Sequence, residues 1–271
     1  MENLDFITTP QYTKEDVKRA QARLLEMAKL VCRTLEENHF DYFIVSGTLL
    51  GAIRHGGFIP WDDDFDLFLF DDTYDAAVEC VRKVLPSDML MHDKSTDPIY
   101  WPAWAKVRDL NTETVNVLFK DDNAYKYSGL NLDLYRCKKV PRDFMEIWRK
   151  KEHIEFLVRK HDSKMLTDEE FFKTFVQWNQ EFCDFMHEYN AKPVHDDNDC
   201  VFSHYSRLKQ WEVSDMFPLK WYDFEDTRFL GPNNPDPILR LLYGPNYMTV
   251  PEYKDRKPHY DYIKWLDHPT R

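Results

Sequence analysis

Apolar residues recur at Val17, Ala20, Leu24, Met27, Ala28, Val31 and Leu35, the three-and-four spacing that gives an amphipathic helix one buried stripe. The pattern opens after Thr13 and predicts a long helix ending near Asn38. The period then shortens. "DYFIVS" is a β-branched and aromatic run that stops at Gly47, which predicts a buried strand delivering Ser46, Gly47 and Thr48 to its end, with a helical turn over 49–52. "FDLFLF" reads as a second strand, and Thr73 as the N-cap of a helix that carries Val81 and Val84 and stops before Pro86. "DMLM", "AWAKVR", "TETVNVLF" and "LNLDLY" are further strand candidates.

From Phe144 the spacing of Ile147, Trp148, Ile154, Leu157 and Val158 is helical again. "TDEE" offers a capping box at Thr167 for a helix through Phe175 and Phe182, and Pro193 closes this region. Prolines at 232, 235 and 237 mark an irregular tail, in which "DPILRLLYG" predicts a short helix with Asp236 as N-cap and Gly244 beyond its end. The expected fold class is α+β: a mixed β-sheet core flanked by helices, with a helical insertion and a loop-rich C-terminal tail. We read one domain over 1–271, with a catalytic core at 1–140, the insertion at 141–195 and a C-terminal region at 196–271.

With 43% hydrophobic content, the 271 residues can bury a sizeable core. A formal net charge of -12 disfavours a protein that grips polyanions over a wide surface, so no nucleic-acid partner is expected. Cys32, Cys80, Cys137, Cys183 and Cys200 form no CxxC pair and suggest neither a disulfide framework nor a structural zinc site. The amino terminus lacks the pattern of a secretory signal, and no apolar stretch reaches membrane-spanning length. The expectation is a cytoplasmic protein, with peripheral association at the inner face of the cytoplasmic membrane left open.

The stretch 44–70, "IVSGTLLGAIRHGGFIPWDDDFDLFLF", sets four glycines upstream of four aspartates crowded into five positions. Side chains alternate along a strand, so Asp64 and Asp66 are expected on one face, where two ionised carboxylates repel unless a cation lies between them. All-oxygen ligands suit Mg²⁺, which pairs one or two carboxylates with substrate phosphates. Asp133, flanked by Leu132 and Leu134 in "LNLDLY", is a third carboxylate in an apolar frame, as a two-metal site needs. A turn at Ser46, Gly47 and Thr48 lets backbone N–H groups approach a phosphate, and Arg54 adds a candidate clamp. Asp62 and Asp63 read as loop or capping residues. Tyr100, Trp101 and Trp104 form a candidate cage for a quaternary ammonium head group, with ordinary packing as the alternative in a chain that is 15% aromatic. His92, His153, His161, His187 and His195 share no ligand spacing, and His55 and His259 lie in or beside the motifs without an assigned role.

"SGTLLGAIRHGGFIPWDDDFDL" resembles the signature of the LicD family, within the nucleotidyltransferase superfamily of DNA polymerase β type and related to fukutin-related protein. The resemblance extends to "AKVRDLNT", "NLDLY" and the tail "LLYGPNYMTVPEYKDRKPH". It implies a phosphotransferase that moves a phospho-head group, phosphocholine first among them, from a CDP-activated donor to a sugar hydroxyl of a cell-surface glycan or its lipid-linked precursor, releasing CMP. It further implies Mg²⁺, as one or two ions with Mn²⁺ as a substitute. Asp64, Asp66 and Asp133 match its metal-binding and catalytic carboxylates, and Gly47 with Thr48 its donor-phosphate turn. Lys106 and Arg256 are donor-phosphate candidates by motif position and charge. Three alternatives stay open: transfer of ribitol, glycerol or ethanolamine phosphate, a D-x-D glycosyltransferase, and an inactive glycan- or nucleotide-binding subunit.

Overall fold

The structure, a computed structural model, describes residues 4–116, 120–190, 200–204 and 210–269. Pro193, His195 and the last three residues of "TETVNVLF" lie outside the described residues. The first helix, α1 (Lys14–Glu37), buries the apolar stripe and opens on a capping box: Asp16 N donates to Thr13 Oγ1 at 3.3 Å, and Thr13 N to Asp16 Oδ2 at 2.9 Å. β1 (Tyr42–Ile44) is buried throughout and leads at once into α2 (Ser46–His55). Ser46, Gly47 and Thr48 therefore form the first helical turn and not the extended end of a strand. Val45 is the extended N-cap of that helix, Ser46 is held at φ +51°, and Gly56 at φ +70° ends the helix in the left-handed region.

β2 (Phe65–Phe70) follows the acidic cluster, and a 3₁₀ turn over Asp71–Thr73 leads into α3 (Tyr74–Val84). Thr73 precedes that helix as expected but does not cap it, because its hydroxyl donates backward to Phe70 O at 3.3 Å. β3 (Met89–His92), β4 (Ala105–Asp109), β5 (Thr112–Asn116) and the long β6 (Asn131–Pro141) occupy the four further strand candidates. The insertion consists of α4 (Met145–Asp162) and α5 (Asp168–Asn190), the second opened by the expected box, with Glu170 N donating to Thr167 Oγ1 and Thr167 N to Glu170 Oε2.

Beyond the insertion the chain is more regular than its prolines suggest. β7 (Cys200–His204), β8 (Gln210–Glu212) and the short α6 (Val213–Met216) precede a hairpin of β9 (Lys220–Phe224) and β10 (Thr227–Gly231). α7 (Pro235–Tyr243) starts earlier than expected, with Asn234 at the N-cap and Pro235 at its first position. Asp236 instead accepts bonds from Arg240 Nε at 2.7 Å and Tyr247 Oη at 2.9 Å. The last strand, β11 (Tyr260–Trp265), pairs antiparallel with β5.

The main sheet among the described residues runs β1-β2-β6-β4-β3, with β7 on the far half of β6 and β8 on β7. β2 and β6 are parallel, and the other pairs are antiparallel, so the sheet is mixed as expected. Phe43, Phe65, Leu67, Phe68 and Leu69 join the α1 stripe in one core. The β9–β10 hairpin docks on it through Phe224 and Phe229, whose rings lie 5.5 and 5.2 Å from Phe65. Each buried phenylalanine contributes about 1.5–3 kcal/mol. That core fixes the register of β2 on β6, which sets Asp66 opposite Asp133, while β4 sets Lys106 opposite Asp133 on its other side. No helix among the described residues is long and apolar enough to cross a membrane.

Candidate active site

The acidic cluster divides by function of place. Asp63 is fully buried, and its Oδ1 accepts from His259 N at 2.8 Å and pairs with His259 Nδ1 at 2.9 Å, while Oδ2 accepts from Tyr260 N at 3.3 Å. It is a clamp that fastens the start of β11 to the motif. Asp62 lies against the first turn of α2, where the helix dipole favours negative charge. A Cβ on Gly47 would meet Asp62 Oδ2 at 2.5 Å, so the glycine leaves room for this carboxylate. Thr48 Oγ1 accepts the main-chain N–H of Asp66 at 2.9 Å and ties the same turn to β2.

Negative charge exceeds what the local cations can balance. Burial, followed by the charges of Asp64 and Asp63, pushes the Asp62 carboxyl well above the usual carboxylate range, with His259 pulling the other way. Burial also raises Asp64, opposed by His259 and reinforced by Asp63 and Asp133. Burial disfavours a charged His259, but Asp64, Asp63 and Asp62 outweigh it and hold its pKa well above the imidazole range. Ligand atoms of Asp62, Asp63 and His259 all lie within 4.8 Å of one another. As an imidazolium His259 has no lone pair for a metal, so it is the carboxylates of this oxygen-rich, under-neutralised cluster that fit a hard divalent cation.

Asp64 and Asp133 open into one cavity of about 520 Å³. Trp101, Trp104 and Tyr135 line it from the sheet side, Phe156, Arg159 and Lys160 from α4, and Asp122, Lys106, His259 and Tyr260 complete its polar part. Lys106 Nζ lies 3.0 Å from Asp122 Oδ2 and 3.4 Å from Asp133 Oδ1. The Trp104 indole N–H donates to Asp133 Oδ1 at 2.6 Å, and Asn131 Nδ2 donates to Oδ2 at 2.7 Å. Trp101 meets Phe156 edge to face at 4.9 Å, and Lys160 Nζ sits 4.8 Å from the Trp101 ring centre while paired with Asp121 at 2.7 Å.

Of the residues singled out in the sequence, the cavity gathers Asp64, Lys106, Trp101, Trp104 and Asp133, and register places Asp66 beside Asp133. Tyr100 lies behind the wall, fully buried, with its hydroxyl donating to Trp104 O at 2.8 Å. Ser46 and Thr48 are buried beneath β2. Arg54 donates to Tyr247 O at 2.8 Å, and Arg256 to Pro251 O at 2.9 Å and Asp5 O at 3.0 Å, so both guanidinium groups hold terminal segments in place.

Several site residues escaped the sequence reading. Asn131 stands two residues before Asp133 on the same strand, so strand parity alone assigns it to the same face. Phe156, Arg159 and Lys160 come from the insertion, where helical spacing tells which face is apolar but not what it meets. His259 and Tyr260 reach the motif from 196 and 197 residues away.

Residues 39–146 match the family model described as LicD/FKTN/FKRP, nucleotidyltransferase domain. The chain is 26% identical over 247 residues to the lipopolysaccharide cholinephosphotransferase LicD of Haemophilus influenzae, covering 83% of this chain and 88% of that protein. It is 50% identical over 153 residues to an uncharacterized protein of Rickettsia prowazekii, of which it spans 53%. To the human ribitol 5-phosphate transferase FKRP it is 47% identical over 47 residues, 10% of that longer protein. The matched stretch runs from before β1 to the start of α4 and contains Asp64, Asp66 and Asp133. Residues 39–146 therefore form a domain of the LicD/FKTN/FKRP nucleotidyltransferase kind, within a chain that is similar over most of its length to a LicD cholinephosphotransferase.

Proposed function

We propose that this protein transfers phosphocholine from CDP-choline to a sugar hydroxyl of a glycan or its lipid-linked precursor, releasing CMP. The observation that carries the reading is the single cavity in which Asp64 and Asp133 face an aromatic wall of Trp101, Trp104, Tyr135 and Phe156. Carboxylates of that kind serve phosphoryl chemistry, and such a wall suits a quaternary ammonium. The Trp101 ring already takes a cation, its own Lys160. The share of the chain aligned with the Haemophilus cholinephosphotransferase favours choline over other head groups.

Asp64, Asp66 and Asp133 would hold Mg²⁺ or Mn²⁺. When bound, the ion neutralises charge on the donor pyrophosphate and lowers the pKa of the acceptor hydroxyl. Asp133 takes the hydroxyl proton as the acceptor oxygen attacks the phosphorus that bears choline. The bond from that phosphorus to the bridging oxygen breaks, and CMP leaves with the electron pair. Lys106, beside Asp133, offers its charge to the donor phosphates. The aromatic wall orients the head group and excludes water. We assign catalysis to 1–140 with closure by 196–271, acceptor choice to the insertion at 141–195, and the reaction to the cytoplasm.

Thermal unfolding with Mg²⁺ and CDP-choline, CDP-ethanolamine, CDP-ribitol, CDP-glycerol or a sugar nucleotide tests the reading. A true donor at 100 times its Kd stabilises by about 2.7 kcal/mol, a rise of about 5–10 °C. The rise is expected with CDP-choline, and Trp101→Ala is expected to weaken CDP-choline more than CDP-ethanolamine. Stabilisation by a sugar nucleotide alone would replace this reading with glycosyl transfer.

A further inference from the structure

Each Asp133 oxygen is addressed by its own fixed donor. Oδ1 accepts the Trp104 indole N–H at 2.6 Å, and Oδ2 accepts Asn131 Nδ2 at 2.7 Å. The Asn131 amide has one orientation available to it, because its Oδ1 accepts from Arg108 NH1 at 2.8 Å and from Tyr260 Oη at 3.1 Å. Arg108 is fully buried and tied in turn to Gly129 O at 2.9 Å and Asp122 Oδ2 at 3.2 Å. The NH₂ group of Asn131 is thereby left to face Asp133. Trp104 is fixed at its other side by Tyr100, whose hydroxyl donates to the Trp104 carbonyl, and its ring packs on Tyr135 at 4.9 Å.

We propose that Trp104 and Asn131 are positioning residues that lock the Asp133 carboxylate in the orientation needed to bind the divalent cation, with Tyr260 transmitting the seating of the C-terminal strand to that lock. The inference rests on Asp133 being a metal-binding carboxylate. It assigns Trp104 two separable parts: the ring belongs to the cavity wall, while the N–H belongs to Asp133. A carboxylate oxygen has two acceptor directions; Oδ1 faces Trp104 and, at 3.4 Å, Lys106 Nζ, so the two hydrogen bonds fix the plane and the direction left for a cation is on Oδ2. A wall residue alone would need no such bond. Any aromatic ring would fill that place.

Trp104→Phe keeps an aromatic ring, smaller than the indole, and deletes the donor. Calorimetric titration with Mn²⁺ alone, steady-state kinetics with CDP-choline and thermal unfolding are measured on this variant, on Asn131→Ser and on Asp133→Ala. Loss of an outer-shell donor weakens metal binding or turnover by about 10–100-fold, so Mn²⁺ affinity and kcat are both expected to fall by that factor in Trp104→Phe. At saturating Mn²⁺, KM for CDP-choline is expected to change less than kcat, since phenylalanine keeps an aromatic face in the wall. Unchanged Mn²⁺ affinity, or a loss confined to KM, overturns the proposal and returns Trp104 to the wall. If Trp104→Phe does not fold, Asn131→Ser decides by the same Mn²⁺ and kcat criteria. If Asp133→Ala itself binds Mn²⁺ as the unaltered protein does, the metal role of Asp133 fails and the proposal falls with it. Loss of Mn²⁺ binding in Asp133→Ala with none in Trp104→Phe overturns the positioning role alone.

Discussion

Replacing Asp63 by asparagine removes one charge from the clamp between the acidic motif and β11 while keeping the side chain's shape. Asp63 is fully buried and receives His259 N at 2.8 Å, His259 Nδ1 at 2.9 Å and Tyr260 N at 3.3 Å. Asparagine retains one acceptor oxygen and turns an NH₂ group toward one of these donors. A hydrogen bond to a charged group contributes about 1.5–3 kcal/mol. His259 keeps Asp62 Oδ1 at 3.5 Å and Asp64 Oδ2 at 3.7 Å, so its charge is not left unpaired and the hydrogen-bond range is the expected total. Larger domains lose about 2–4 °C of Tm per kcal/mol, which gives a fall of about 3–12 °C. Circular dichroism melts of both proteins from pH 6 to pH 9 measure it. The folded pKa of His259 is raised above its unfolded value, so the stability it supplies is complete below about pH 6.5 and fades as pH rises through the folded value. The gap between the two proteins is therefore widest near pH 6 and narrows upward. A fall under about 2 °C at pH 6, or a gap that widens with pH, would refute the clamp.

Glu152 on α4 is buried, and burial raises its pKa to about 7 despite Arg159 Nη2 at 2.9 Å. Its ionisation is disfavoured in the folded state, so stability is expected to decline as pH rises from 4.5 to about 7, and Glu152→Gln should flatten that decline in urea unfolding; an unchanged slope speaks against it. Gly51→Ala would set a Cβ 2.4 Å from Gly57 O and 3.2 Å from Ile59 N, both main chain. Overpacking of this kind costs about 1–3 kcal/mol, read as a lower urea midpoint at constant m; an unmoved midpoint would show that the 56–59 loop yields.

The local patterns were the legible part of the fold. The α1 stripe, the Thr167 capping box and the apolar frames around Asp66 and Asp133 each state their element within the element's own span. Ser46 and Gly47 misled because both are weak helix formers, and the bond from Leu49 N to Val45 O at 3.0 Å, which starts α2 there, has no local signature. Asp63 is the loop residue it looked, but its clamp has no local signature because its partners stand at the other end of the chain. The aromatic wall was half visible: Trp101 and Trp104 came from one stretch, whereas Tyr135 and Phe156 join them only through β6 register and the packing of the insertion. Tyr100 sat in the same stretch and turned inward, as strand and turn geometry decide and composition does not.

Phosphorus NMR of CDP-choline incubated with the protein, Mg²⁺ and a glycan acceptor tests the central claim most directly. CMP and a glycan-linked phosphocholine diester are expected in equal amounts, with both lost on chelation of the metal and in Asp66→Asn and Asp133→Asn. Transfer of the cytidylyl group to the acceptor, or CMP formation that survives both substitutions undiminished, would contradict it.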